Sequence, residues 1–240
     1  MEDAAGLFDV APATASAPLG AEGHRARMRQ KLLEAGPRAL LDHELLEMVL
    51  FAANPRKDTK PLARALLARF GGFAEAIAAP NAELRQVEGL GDAGVAALRV
   101  VQAAALRLGE RQLRETPVLN NWERLQTYLT AALARERTEQ FRVLFLDGRN
   151  RLLADEVLGA GTVNHAPVYP REVVRRALEL HATALILVHN HPSGDPTPSR
   201  ADIEMTREVA EAARMLGITL HDHLVVGRGG SASLRQMGLL

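Results

Sequence analysis

The sequence predicts a helical first half joined to a mixed α/β second half. Three observations carry this division. From about His24 to Leu108, apolar residues recur at spacings of three and four. Beyond Pro117, short apolar runs bounded by turn residues, FRVLFL and ALILV, alternate with amphipathic stretches, the pattern of a sheet flanked by helices. Between them GERQLRETP is polar and charged and closes on proline. The expected organisation is a flexible tail over residues 1–21, a helical domain over 22–108, a linker with partial helical character over 109–117 and a mixed α/β domain over 118–240.

In RMRQKLLEAGPRALLDHELLEMVLFAA the helical period breaks at Gly36-Pro37, and Asp42 is placed to cap the helix holding Leu45, Leu46, Met48 and Val49. Asn54-Pro55 ends that helix, because the residue before a proline is pushed out of the α region. The next helix follows Lys60 and stops at Gly71-Gly72. Residues 73–78, a turn at Pro80-Asn81 and the segment LRQVEGLGDAGVAALRVVQAAALRL complete the helical half.

In the second half Asn121 is placed to cap a helix from Trp122 to about Arg135. FRVLFL reads as a buried strand, DGRN as a hairpin turn, and residues 152–158 as the strand that pairs back. Tyr169-Pro170 opens a helix running through Leu180. Residues 184–188 form a central strand that delivers His189; residues 199–216 form a helix, and Gly217 turns the chain into ITLHDHLVVG, a last long strand.

The bulk numbers exclude several classes. Formal net charge is zero, with 29 basic and 29 acidic residues, and the halves are balanced too: residues 1–117 carry 15 of each sign and residues 118–240 carry 14 of each. A global electrostatic attraction to nucleic acid or membrane is therefore not supported, and any DNA contact has to be local. There is no cysteine, which removes disulfides, thiolate ligands and a cysteine nucleophile. The first 20 residues carry neither a basic start nor a continuous apolar run, and no apolar stretch is long enough to span a bilayer, so a cytoplasmic protein is expected. Aromatic residues are only 4%, which argues against stacking on single strands.

The chemistry concentrates in VHNHPSGDPTPSRAD, residues 188–202. Side chains alternate along a strand, so His189 and His191 point to one side if the chain stays extended there. Two imidazoles at the end of a buried strand make a chelating pair. The loop doubles back through Gly194, Asp195, Pro196 and Pro198, and Asp202 falls in the first turn of the next helix. Zinc takes imidazole and carboxylate ligands, and a catalytic zinc keeps one position for water, so His189, His191, Asp202 and water form a complete set. Ser199-Arg200-Ala201-Asp202 is equally a capping pattern, in which the two residues only close a helix end. The literal string H-N-H does not indicate the nuclease of that name, whose ligands are spread over a longer ββα unit.

The pattern H-x-H, seven residues, S-x-x-D resembles the JAMM signature of the JAB/MPN metalloprotease-like domain, with His189, His191, Ser199 and Asp202 in its four places. The wording HNHPSGDPTPSRAD is closer still to the bacterial RadC (UPF0758) family, and the resemblance runs from about residue 22 to the end. It implies a JAB/MPN, cytidine-deaminase-like α/β sandwich in the second half, with a mixed sheet flanked by helices and the site at strand ends. It also implies a catalytic glutamate at the start of the strand after the first domain helix, which here is Glu139 in TEQFRVLFLD. A carboxylate there takes the proton of water that zinc has acidified to a pKa of about 7. From spacing alone Glu136 remains open. Glu156 on the paired strand is the second choice, and Glu172 sits in a helix first turn where a glutamate is expected anyway. Ser199 resembles the family serine that donates to the oxyanion, and it would have to serve as cap and donor in turn. Asn190 stands where the wider group commonly has serine or threonine, as RadC proteins have it.

His221 and His223 form a second H-x-H, for which a strand running to the domain surface is the expected explanation, with Asp222 or His223 backing the metal ligands as the lesser option. His165 and His181 receive no role. In the helical half VEGLGDAGVAAL resembles a helix-hairpin-helix, whose glycines, here Gly89 and Gly91, let backbone amides approach a DNA phosphate. Asp92 and Ala93 occupy the turn where DNA-binding examples often carry a basic residue, so a packing turn is the competing reading.

Two functions follow. One is a zinc-dependent hydrolase of the JAMM type, cleaving a peptide or isopeptide bond in a peptide or protein substrate. The other is a DNA-associated repair or replication accessory protein whose metal site is structural or vestigial. Oligomeric state is not encoded in any of these features.

Overall fold

The structure is a computed structural model that describes residues 21–161 and 168–240. The tail expected over residues 1–21, apart from Ala21, and His165 lie outside the described residues.

Among the described residues the first half holds six α-helices: α1 (Ala21–Ala35), α2 (Asp42–Phe51), α3 (Lys60–Phe70), α4 (Phe73–Ala78), α5 (Asn81–Leu84) and α6 (Asp92–Glu115). The apolar faces of α2 to α6 meet in one core around Leu46, Leu50, Leu66, Leu84 and Leu98, all fully buried. Asp42 is the first residue inside α2 and does not cap it. Its Oδ2 accepts from the Phe73 amide (2.9 Å), so it stitches α2 to the start of α4. The Leu41 amide, at the cap position, instead donates to Glu44 (2.8 Å).

Residues 109–115, expected in a linker, are the last two turns of α6. Leu113 is buried in the core of the second half, Leu106 packs beside it, and Arg114 donates to the Leu153 carbonyl. Leu106 and Leu113 are two helical turns apart on one face, and that stripe is enough to dock an otherwise polar helix.

The second half comprises α7 (Trp122–Leu133), β1 (Gln140–Leu146), β2 (Leu152–Ala160), α8 (Pro170–Glu179), β3 (Ala184–Asn190), α9 (Arg200–Arg214), β4 (Thr219–Gly227) and β5 (Gly230–Ser233). The five strands form a mixed sheet in the order β2-β1-β3-β4-β5, with β3 and β4 parallel and the other pairs antiparallel. One face, with Leu144, Ile186, Val188 and Leu224, packs on α7 and the end of α6. The other, with Phe141, Val143, Leu185 and Leu187, packs on α8 and α9. Every residue of β3 is buried, as a continuous apolar run in a sheet covered on both faces requires.

Asn121 precedes α7 but forms no side-chain cap; its amide donates to the Pro117 carbonyl (3.5 Å) and Thr116 Oγ1 (3.4 Å) within the preceding turn. Asp147 Oδ1 accepts from the Arg149 and Arg151 amides (2.8 Å each) and Asn150 is left-handed, so DGRN closes the β1–β2 turn as expected. No helix among the described residues is long and apolar enough to cross a membrane.

Candidate metal centre

β3 sends Leu185 and Leu187 to the α8–α9 face, and His189 continues that row. The His191 amide still donates to the Val226 carbonyl on β4 (2.9 Å), so the chain stays extended for one more residue beyond Asn190. His191 therefore returns to the same side, and the two Nε2 atoms lie 2.9 Å apart. Asp202, in the first turn of α9, places Oδ1 3.3 Å from His189 Nε2 and Oδ2 3.6 Å from His191 Nε2. Among the described residues these three form the one cluster whose donor atoms fit a shared cation.

The spacing fits a metal. Ligands about 2.0–2.1 Å from a tetrahedral zinc stand roughly 3.3 Å from one another; His189 Nε2 lies 2.9 Å from His191 Nε2 and 3.3 Å from Asp202 Oδ1, and one donor atom from each of the three residues lies within 4.8 Å of the others. The exposures fit as well. His189 is 1% exposed, whereas the His191 and Asp202 side chains are 19% and 15% exposed, so the cluster is anchored on one side and open on the other.

The loop after His191 fixes its ring. Gly194, with a left-handed φ of 95°, donates to the His191 carbonyl, and Asp195 Oδ1 accepts from the Thr197 amide and hydroxyl. The Thr197 bonds hold the Asp195 carboxyl below its usual range. The Asp195 carbonyl lies 2.8 Å from His191 Nδ1. A carbonyl only accepts, so Nδ1 carries the proton and Nε2 keeps its lone pair for a metal.

This loop lies flush against Gly227 at the end of β4, where a Cβ would sit 2.3 Å from the Gly194 oxygen and 2.8 Å from its carbon. Both are backbone atoms, so relief requires moving the loop. Gly227→Ala is expected to cost about 1–3 kcal/mol in thermal unfolding and to weaken metal retention by displacing Asp195. An unchanged midpoint together with unchanged retention would refute the close approach.

Ser199 and Asp202 form the capping box. Ser199 Oγ accepts from the Asp202 amide (3.2 Å), and Asp202 Oδ2 accepts from the Ser199 amide (2.7 Å). Capping and metal binding are thus compatible: Oδ2 is spent on the cap, while Oδ1 faces His189. The cap also uses only a lone pair of Ser199, so its hydroxyl proton stays available at the same time. The expected alternation between cap and donor is unnecessary. Burial raises the Asp202 pKa, but the His189 ring and the Ser199 bonds outweigh it and hold the carboxyl well below the usual range.

Glu139 immediately precedes β1, which pairs antiparallel with β3 so that Phe141 lies opposite His189. Continuing that register brings Glu139 level with His191, and the two-residue period puts it on the face of Phe141 and His189. Asn190, between the histidines and 1% exposed, points to the other face and holds this segment. Its Oδ1 accepts from the Gln140 amide (2.9 Å), and its Nδ2 donates to the Thr138 (3.1 Å) and Glu136 (3.4 Å) carbonyls. Nothing in the sequence revealed this clamp. Glu156 is engaged elsewhere: it takes a bidentate bond from Arg176 (2.6 and 2.7 Å), which lowers its pKa. Glu172 is likewise paired with Arg175 (3.0 Å).

The second H-x-H divides. His221 bonds Asn150 Oδ1 (2.7 Å) at the far end of β4. His223 does not run to the surface as expected; it is fully buried, with Nε2 2.7 Å from His189 Nδ1. Asp222 points to the opposite side and ties β4 to the C-terminal segment through Ser233 and the Arg235 amide. His223 and its neighbour Thr206 on α9 are the site residues the sequence reading underweighted or missed; the signal for Thr206 was its place one helical turn after Asp202.

In the helical half Gly89 is left-handed (φ 82°) and Gly91 is the cap residue of α6. A Cβ on Gly94 would meet Leu90 Cδ1 at 2.6 Å, so this turn is tightly packed, and Asp92 pairs with Arg85 (3.1 Å) at the helix start. A cavity of about 460 Å³ beside the metal-site loop is lined by Pro192, Arg228, Arg135, Arg137 and Glu83; it contains none of the three candidate ligands.

Comparison with known proteins gives a consistent picture. Residues 119–239 match the family model described as a RadC-like JAB domain, and residues 23–96 match the one described as UPF0758 N-terminal. A UPF0758 protein of Rhodobacter capsulatus is 57% identical over 213 residues, which is 89% of this chain and 100% of that protein.

Proposed function

The chain belongs to the UPF0758 family, with a RadC-like JAB domain, and on that premise we propose that it is a zinc-dependent hydrolase of the JAMM type that cleaves a peptide or isopeptide bond. The observation that supports this reading most is the convergence of His189 Nε2, His191 Nε2 and Asp202 Oδ1 at metal-ligand spacing on a partly open face.

The division of labour follows from the positions. His189, His191 and Asp202 would hold the ion, which when bound would supply Lewis acidity that acidifies water at the site to a pKa of about 7. Glu139, in the segment whose neighbouring backbone Asn190 clamps, accepts a proton from water as the water oxygen attacks the carbonyl carbon. The Ser199 hydroxyl, its lone pair already spent on the cap, donates to the developing oxyanion. As the carbon–nitrogen bond breaks, Glu139 delivers its proton to the leaving amine.

Glu139→Gln is the direct test. Hydrolysis of a peptide and isopeptide library by the zinc-loaded protein is expected to fall by about 10²–10⁴-fold, while zinc stays near one per chain. Loss of zinc together with activity would make Glu139 a ligand or scaffold residue and remove its role as base.

A further inference from the structure

Three contacts lead away from His189, the first two of them buried. Its Nδ1 lies 2.7 Å from His223 Nε2, His223 Nδ1 lies 2.5 Å from Thr206 Oγ1, and Thr206 Oγ1 lies 2.5 Å from the backbone carbonyl of Asp202. His189 is 1% exposed, and Thr206 and His223 are fully buried. The chain therefore begins on one candidate ligand and ends on the backbone of another.

Its direction is forced from the carbonyl end. A carbonyl can only accept, so the Thr206 hydroxyl spends its single proton there. Thr206 Oγ1 must then accept from His223, whose Nδ1 carries a proton. His223 is fully buried and its two ring nitrogens meet only the Thr206 hydroxyl and the His189 ring, so no carboxylate is in contact to balance a charge on it. The ring is neutral, has one proton, and presents a bare Nε2 to His189. In its neutral form His189 must donate from Nδ1, which leaves its Nε2 lone pair facing Asp202 Oδ1 and His191 Nε2.

The opposite direction would give a different site. A proton on His189 Nε2 would bond Asp202 at 3.3 Å, and the three residues would be a self-satisfied polar cluster with no need of an ion. With the direction found here, two bare imidazole nitrogens and a carboxylate oxygen face one another, an arrangement that needs a cation among them.

We propose that Thr206 and His223 are positioning residues that set the tautomer of His189, and that Thr206, one helical turn beyond Asp202, does so by anchoring the relay to the Asp202 backbone. The inference rests on the metal-binding reading of the site, yet it is observable without a metal.

The test is long-range proton–nitrogen NMR on the ¹⁵N-histidine-labelled full chain, stripped of metal by a chelator and held at mildly alkaline pH, followed by zinc titration against a competing chelator. In the wild type and in Thr206→Ser, His189 and His223 are expected as Nδ1–H tautomers with the same zinc affinity. In Thr206→Val, whose side chain is isosteric but cannot accept, His189 is expected to populate both tautomers and zinc affinity to fall by about 10–100-fold. An Nε2–H tautomer of His189 in the wild type overturns the proposal, as does a folded Thr206→Val protein with unchanged tautomer and affinity. Should Thr206→Val fail to fold, the wild-type tautomer together with the Thr206→Ser result decides. A protein with the Nδ1–H tautomer that takes up no zinc would keep this inference and remove the proposed hydrolase.

Discussion

Replacing His189 and His191 together by alanine is expected to abolish zinc binding and every stability gain that zinc confers. The wild-type chain, purified without added metal, should carry close to one zinc per molecule by mass spectrometry, and the double variant close to none. A ligand that binds only the folded state stabilises it by RT ln(1 + [L]/Kd), which is about 2.7 kcal/mol at a hundredfold excess over Kd. For a chain of this length that corresponds to a rise of roughly 5–11 °C in midpoint. The comparison is made with and without zinc in each protein. His189 also contacts His223, and this arrangement cancels the packing cost of losing its ring. A wild type that takes up no zinc even when it is offered would sink the hydrolase reading. A double variant that keeps a full equivalent would place the metal elsewhere.

Removing the Asp155 carboxylate is expected to be the most damaging single change away from the site. Its side chain, 2% exposed, accepts a bidentate bond from Arg142 (2.9 Å each) and another from the Tyr128 hydroxyl (2.7 Å). These contacts join β1, β2 and α7, so they also brace the strand that follows Glu139. Burial and the adjacent Asp155 charge push the Tyr128 pKa up, which keeps the hydroxyl a donor throughout the physiological range. Asp155→Ala leaves the Arg142 guanidinium, 18% exposed, without its counter-charge, and the cost of such a break is about 3–5 kcal/mol. Replacing both partners with apolar residues should recover most of it, because the penalty comes from the stranded charge more than from the lost attraction. Urea unfolding of the single and double variants measures this. A single-variant cost under about 1 kcal/mol would mean the pair behaves as an exposed one.

The sequence reading of the helical half placed its main helices and misplaced local detail. Hydrophobic period identified α2, α3 and α6, because a stripe facing a core leaves its spacing in the sequence. It did not show that Asp42 would serve α4 and not its own helix, since the competing bond came from Glu44, three residues after Leu41. The polar run after Gly109 read as a linker because charge dominates its composition, while Leu113, which docks it, is a single leucine among charged and polar neighbours. In the second half, FRVLFL and ALILV announced buried strands by their continuous apolar character. The order in which the strands pair, with β1 between β2 and β3, brings the segment of Glu139 beside the histidines, and no local pattern encodes that order.

By itself the sequence determined the candidate ligand set. His189, His191 and Asp202 are close along the chain, and two local rules, strand alternation and helix capping, orient them. The tertiary structure alone decided how those ligands are held. Asn190 reaches 50 residues back along the chain to Gln140, and His223 meets His189 from 34 residues beyond it. Thr206 gives direction to a proton chain only because β4 packs against α9. Local rules act through the backbone of a few adjacent residues, so a single sequence displays them. The partners that fix a side chain's tautomer or clamp a loop are chosen by sheet order and layer packing, which exist only once the whole chain has folded.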